Sequence, residues 1–305
     1  MPAQSAQATP TPSEDQVDRH LRYLVYLYIA LVVLEGAMRK WILPGLSDAL
    51  LLIRDPLVLA AYALAFVHRR FPMNAYVISG ALLMLLYAVV TTFFGHGNVF
   101  VTLFGVRTNF MHFPFAFIMG NVLNRDRVIE VGRWWLWGSL IMTVIIVLQF
   151  GSPQSAWINR SVGGGEGAGF DGAMGRFRPP GTFSFIVGTV LFYTTASAFL
   201  VAGLTQHNRY SKLLLAAATG ALLVAIPVSI SRSLILLSAL VFATGIFTSS
   251  LQKNTLIRWI RIAAIAAIAL FAAAQIPVFD EAREAFLARW ERSTGKEKGG
   301  FHEQI

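Results

Sequence analysis

Long apolar runs alternate along this chain with short polar connections that are mostly basic. The runs approach the roughly 20 residues that a helix needs to cross a bilayer. They begin at Tyr23 and recur at about 50–67, 74–94, 100–123, 134–150, 183–204, 213–230, 233–248 and 260–278. This spacing predicts an all-α, polytopic transmembrane helical bundle of about nine spans occupying residues 23–279. The first 17 residues, rich in Pro, Ser, Thr and Gln, cannot bury enough apolar surface to order themselves, and a disordered tail is expected over 1–22. The run from Tyr23 to Met38 has no small-residue cleavage site and is followed by Arg39 and Lys40, so a retained span is predicted. Between Leu213 and Thr248 a single helix would exceed the hydrocarbon thickness; Pro227 and the Ser229–Ser233 patch predict a tight hairpin instead.

Composition sharpens this picture. The chain is 55% apolar and 13% charged, against about 45–50% and about 25% in soluble domains. An ordinary soluble domain and a disordered chain are both excluded. The absence of cysteine removes disulfides, thiolate chemistry and cysteine metal sites. The net charge of +9 is read first as topology. Basic residues fill alternate connections: Arg19 and Arg22; Arg69 and Arg70; Arg125, Arg127 and Arg133; Arg209 and Lys212; Lys253, Arg258 and Arg261. The loop Gly95–Val99 has none. The N-terminus is therefore placed in the cytoplasm, with a long outside loop over 151–182, between spans 5 and 6, and an outside tail over 280–305. No basic soluble face suggests nucleic acid.

The outside loop pairs a glycine-rich half, around Gly163-Gly164-Gly165-Glu166-Gly167, with a half stiffened by Pro179 and Pro180. A loop of this length in a compact bundle is usually functional or disordered. More telling is a set of arginines that the insertion rule does not explain. Arg39, Lys40, Arg54, Arg107, Arg160, Arg176, Arg178 and Arg232 fall outside or in the outer third of the membrane, with few carboxylates near them. Singly, Arg39, Lys40 and Arg160 can snorkel to headgroups, and Asp55 can neutralise Arg54 or Arg107. Glu35 and Arg39 have the i,i+4 order of a helix ion pair. As a set, convergent arginines suggest a diphosphate or other polyanion, because guanidinium binds phosphate bidentately and stays ionised. Arg176, Arg178 and Arg232 lead, since they flank span ends.

Other chemistries leave little trace. There is no metalloprotease, phosphate-loop or dinucleotide motif. The six histidines, His20, His68, His96, His112, His207 and His302, have no metal-ligand spacing, so neither metal nor cofactor is required. His112 reads as a hydrogen-bonded interior residue. In the outward tail, His302 and Glu303 are candidates for proton transfer, or simply solvated. From Asp280 to Arg292, Ala282, Ala285, Phe286 and Trp290 recur at helical spacing, which predicts an interfacial amphipathic helix able to cap a site. The polar end GKEKGGFHEQI suggests a piece of a longer product.

The segments LEGAMRKWILPGL at 34–46, LLIRDPLVL at 51–59, GVRTNFMHFPFAFIMG at 105–120, GRFRPPGTFSF at 175–185 and SISRS at 229–233 resemble exopolysaccharide polymerase-like proteins of the O-antigen ligase and polymerase superfamily. The resemblance covers about residues 23–300. It implies a multi-pass glycosyltransferase of the bacterial inner membrane, acting in exopolysaccharide biosynthesis without a metal. It further implies an undecaprenyl-diphosphate-linked glycan as donor and a glycan acceptor, in the bilayer beside other polysaccharide assembly proteins. By the same resemblance Arg178 and Arg232 bind the diphosphate, and His302 or Glu303 takes the acceptor proton. Family members continue through further spans after this loop; this chain does not. Two rival readings are a transporter or flippase of a lipid-linked anionic glycan, and a non-catalytic membrane subunit of an export complex.

Overall fold

A computed structural model describes residues 12–95, 97–165, 171–173, 175–206, 209–250 and 280–288. The described chain is mostly helical, and five of its helical stretches are long and apolar enough to cross a membrane: Gln16–Ile42, Pro44–Val67, Ala75–Phe93, Arg125–Gly151 and Ile186–Thr205. Two shorter apolar helices follow, Lys212–Val228 and Arg232–Thr248. The predicted span at 260–278 lies outside the described residues. The chain divides into two compact units, one formed by Met1–Val32 with Leu51–Val128, the other by Val33–Leu50 with Ile129–Ile305.

Three stripes make the core of the first unit. Helix α1 (Pro12–Ala37) supplies Val17, Leu21 and Val25 at four-residue spacing. Helix α3 (Asp55–Val67) supplies Val58, Ala61 and Ala65, and α6 (Phe113–Val122) supplies Phe115, Ile118 and Val122, both at the i, i+3, i+7 spacing of one helical face. The short α2 (Ser47–Leu50) precedes α3. Helix α4 (Ala75–Phe93) is N-capped by Asn74, whose side chain accepts from the Val77 amide, and most of its surface is uncovered apolar side chain, including Leu82, Leu83, Leu86 and Phe93. That surface suits hydrocarbon.

Two expectations need correction here. The first helix starts at Pro12 rather than near Tyr23, so 12–22 is helix and not disordered tail; Val17 and Leu21 are buried, and Asp18 pairs with Arg70 at 2.9 Å. Composition hid this, because two buried residues at helical spacing suffice to dock a polar segment. The predicted span over 100–123 is interrupted as well. It consists of α5 (Val99–Val106), a π-helical turn (Arg107–Met111) and α6. Pro114 has no amide for the Phe110 carbonyl four residues back, so the α ladder cannot continue through it.

The second unit is built around α7 (Arg125–Gly151) and α8 (Ile186–Thr205). Leu136, Met142, Ile146 and Phe150 of α7 meet Val190, Tyr193 and Leu200 of α8. Polar contacts lock the register: Trp135 Nε1 donates to the Phe192 carbonyl at 2.9 Å, and Thr143 Oγ1 lies 2.7 Å from the Tyr193 hydroxyl. Helices α9 (Lys212–Val228) and α10 (Arg232–Ser250) are separated by a break at Ser229–Ser231, where Ile230 has a φ of 46°. The predicted interruption is therefore present, but both helices pack on α8 rather than mainly on each other. Residues 280–288 are helical and bury Ala282 and Ala285 in this core; Trp290 and Arg292 of the predicted amphipathic helix lie outside the described residues.

If the α1 stripe anchors the first unit, Leu21→Ala should lower its stability by about 2–5 kcal/mol, the usual cost of emptying a buried leucine site. Tyr23→Ala, at a site 63% exposed, should not. Thermal unfolding of the detergent-solubilised chain compares the two.

Candidate functional site

Helix α1 does not end in an ordinary cap. It passes into a π-helical turn, Met38–Ile42, closed by the Leu43 amide donating to the Met38 carbonyl at 2.7 Å, five residues back. Pro44 is the cause in sequence, since it cannot donate to the Lys40 carbonyl. Widening the helix by one residue turns Arg39 and Lys40 into the protein, at 8% and 0% exposure. Snorkelling to headgroups, the simple reading of both, does not describe them.

Both basic residues grip the stiff half of the long loop. Arg39 Nη1 donates to Glu35 Oε1 at 3.3 Å and to Ser184 Oγ at 3.1 Å, while its Nε donates to the Ser47 carbonyl at 2.9 Å. The predicted Glu35–Arg39 pair thus exists, and it is buried. Lys40 Nζ donates to the Gly181 carbonyl at 2.6 Å. Gln149, at the end of α7, clasps the same peptide: its Nε2 donates to the Gly181 carbonyl at 3.2 Å and its Oε1 accepts from the Gly181 amide at 2.8 Å. Gly36 lets backbone lie directly on the helix, because a Cβ there would collide with Thr182, Phe183 and Ser184 main-chain atoms. The glycine-rich half is tied to the same turn, with the Gly163 amide donating to the Arg39 carbonyl at 3.3 Å and φ values of 84° and 82° at Gly163 and Gly164.

The remaining predicted arginines of this unit differ in their surroundings. Arg176 sits on a two-residue strand, β2 (Arg176–Phe177), paired antiparallel with β1 (Asp171–Ala173). Its guanidinium donates to the Phe150 carbonyl at 3.0 Å and to Glu281 Oε2 at 2.6 Å, which ties the helical segment 280–288 to the loop. Arg178 is half-buried two residues before Pro180, Arg232 is half-buried as the first residue of α10, and Arg160 is exposed after the 3-10 turn Trp157–Asn159. His302 and Glu303, the proposed proton-transfer residues, lie outside the described residues.

A second cluster lies in the first unit and is also built on broken helices. Asp55 opens α3 after a turn over 51–54, inside the apolar stretch Pro44–Val67, and Arg107 is in the second π turn. Arg107 engages Asp55 with both Nε and Nη2, and Nη2 also donates to the Leu51 carbonyl at 3.0 Å. His112 Nε2 lies 3.7 Å from Asp55 Oδ1, and its Nδ1 is 3.3 Å from the Tyr28 hydroxyl. Arg54 stands 6.0 Å from the Tyr28 ring centre, and Tyr62 donates to the Met111 carbonyl at 2.5 Å. The neutralising role weighed for Asp55 is thus directed at Arg107.

Gln149, Ser184, Tyr28 and Tyr62 were not singled out by sequence, and Lys40 was counted among the outer basic residues without being assigned a site role. For Lys40 a signal existed, namely a proline four residues on. Among the described residues no three His, Asp or Glu side chains gather as metal ligands would. What the arrangement does chemically is hold the 181–184 segment, through the Gly181 carbonyl and the Ser184 hydroxyl, on enclosed basic side chains. No family model matches the chain, no curated protein is significantly similar to it, and no solved structure matches its fold.

Asp55→Asn should destabilise the first unit, by less than the about 3–5 kcal/mol that breaking a fully buried pair costs because Arg107 and Asp55 are only half-buried, while Asp55→Leu with Arg107→Met should recover most of the loss. Thermal unfolding of the single and double variants checks this.

Proposed function

We propose that this protein is a membrane glycosyltransferase, a polysaccharide polymerase or ligase, that moves a glycan from an undecaprenyl-diphosphate donor to the hydroxyl of a glycan acceptor. It would be a multi-pass protein of the bacterial inner membrane with about nine spans, a cytoplasmic N-terminus and a periplasmic 151–182 loop. The observation that supports the reading is the buried basic grip on the Arg178-bearing loop: Arg39 and Lys40, almost fully enclosed, hold it at the Ser184 hydroxyl and the Gly181 carbonyl. Departure of a lipid diphosphate leaves charge on phosphate oxygens. Guanidinium groups fixed in a water-poor site stabilise that charge without reorganising. Arg178 and Arg232 are assigned to the diphosphate, with Arg176, Arg160 and Arg39 of the same unit supporting the positive field. Glu35 and Asp55 hold Arg39 and Arg107 in place. His302 or Glu303 would take the acceptor proton.

A specific observation favours a second reading. Broken helices carrying a paired Arg107 and Asp55 are also how transporters build ion paths, so movement of a lipid-linked anionic glycan is the alternative.

Arg178→Lys or Arg232→Lys should abolish polymer and accumulate lipid-linked single repeat units, with membrane insertion retained. Lysine keeps the charge but loses bidentate phosphate geometry. Retained polymer output rejects the transferase. Loss of repeat units from the outer leaflet, rather than their accumulation there, selects the transporter. A tag at Gly165 that is reached only from the cytoplasm rejects the orientation.

A further inference from the structure

Lys40 is the most fully enclosed charged side chain among the described residues. No carboxylate pairs with it there. Its ammonium has three protons to donate, and the hydrogen bond it makes goes to the Gly181 carbonyl at 2.6 Å. The Trp41 ring centre lies 4.6 Å from Nζ and gives a weaker, face-on attraction. An ammonium in such surroundings is costly unless dipoles or anions answer it. The Gly181 peptide is the dipole that does.

That peptide is held from both sides. Gln149 accepts its N–H and donates to its carbonyl, and Asn159 Nδ2 in turn donates to the Gln149 carbonyl at 3.0 Å. Gly181 has a φ of 61°, in the left-handed region, and a Cβ there would meet Met142 Sδ at 2.5 Å. Only glycine fits, so the loop has one way to present this carbonyl to Lys40. Immediately before it stand Pro179 and Pro180, both buried, whose rings fix two successive φ angles. Arg178 is the next residue back. An orientation imposed at Gly181 is therefore transmitted to the Arg178 backbone through a stretch with little torsional freedom.

We infer that Lys40 is the positioning residue of the Arg178 loop: acting with Gln149 on the Gly181 peptide, its ammonium sets where the Arg178 guanidinium stands. This rests on the proposed function only in the role given to Arg178; the clamp itself does not depend on it.

The chain has no cysteine, so single cysteines can be introduced cleanly. A nitroxide spin label at Phe185→Cys, an exposed position of the same loop, reports loop mobility in the detergent-solubilised 305-residue chain. Lys40→Met should shift this label to a shorter rotational correlation time, and Lys40→Arg should return it toward the parent. A label at Phe94→Cys, in the other unit, should be unmoved, which separates loss of the clamp from general loosening. In cells Lys40→Met should lose polymer as Arg178→Lys does. Unchanged mobility in Lys40→Met overturns the inference, whatever Arg178→Lys does. If Lys40→Met mobilises the loop while Arg178→Lys leaves polymer intact, the clamp stands and the transferase reading falls. Should Lys40→Met fail to accumulate in membranes, Gln149→Leu must mobilise the Phe185→Cys label, and its failure to do so overturns the inference equally.

Discussion

An apolar helix that meets a proline must leave a carbonyl four residues back without its amide, and in hydrocarbon that omission costs several kcal/mol unless another donor or a change of helical pitch absorbs it. Here the same solution occurs twice. Pro44 follows the π turn Met38–Ile42, and Pro114 follows the π turn Arg107–Met111. Each wider turn rotates a basic side chain off the helix surface onto backbone that is itself non-helical: Lys40 onto Gly181, Arg107 onto Leu51. Charge-assisted bonds of this kind are worth about 1.5–3 kcal/mol each, enough to offset much of what the irregular backbone loses.

The two sites use this device differently. Arg107 is met by a carboxylate in two-point contact, with His112 and Tyr28 in the next layer. Such a pair is close to neutral and defines geometry. Lys40 is met by peptide dipoles, and its neighbour Arg39 by Glu35 and Ser184. The first cluster reads as a brace, the second as the holder of the loop that carries Arg178.

Much of this fold was legible in the hydropathy pattern, and the exceptions have a common origin. The uninterrupted runs behind α4, α7 and α8 mark true helices, because an apolar segment has little alternative to helix in hydrocarbon. The break between α9 and α10 was readable from Pro227 and the serines around Arg232. Interruptions inside a run, at 51–54 and 107–111, were not, because averaging over a window registers total hydrophobicity and passes over where a proline removes one amide. The same averaging hid Lys40. A lysine at a span end normally reaches for water, and only the π turn, set by Pro44, sends it inward. Glu35 and Arg39, by contrast, were readable as a pair from i,i+4 spacing, though their burial and their grip on Ser184 come from tertiary contacts.

The contacts around the loop bear on how it could serve the proposed transfer. Among the described residues Glu35 pairs with Arg39 and Glu281 with Arg176, while Lys40 is met by the Gly181 carbonyl. At an effective dielectric near 20, two unit charges about 4 Å apart interact by roughly 4 kcal/mol, so enclosed groups such as Arg39 and Lys40 feel their neighbours more strongly than groups in water do. In the proposed transfer, the departing diphosphate is the group on which charge grows. The stiffness of the Pro179–Pro180 stretch then matters as much as the sign of the field, because preorganised charge stabilises a leaving group only when it does not have to move to do so.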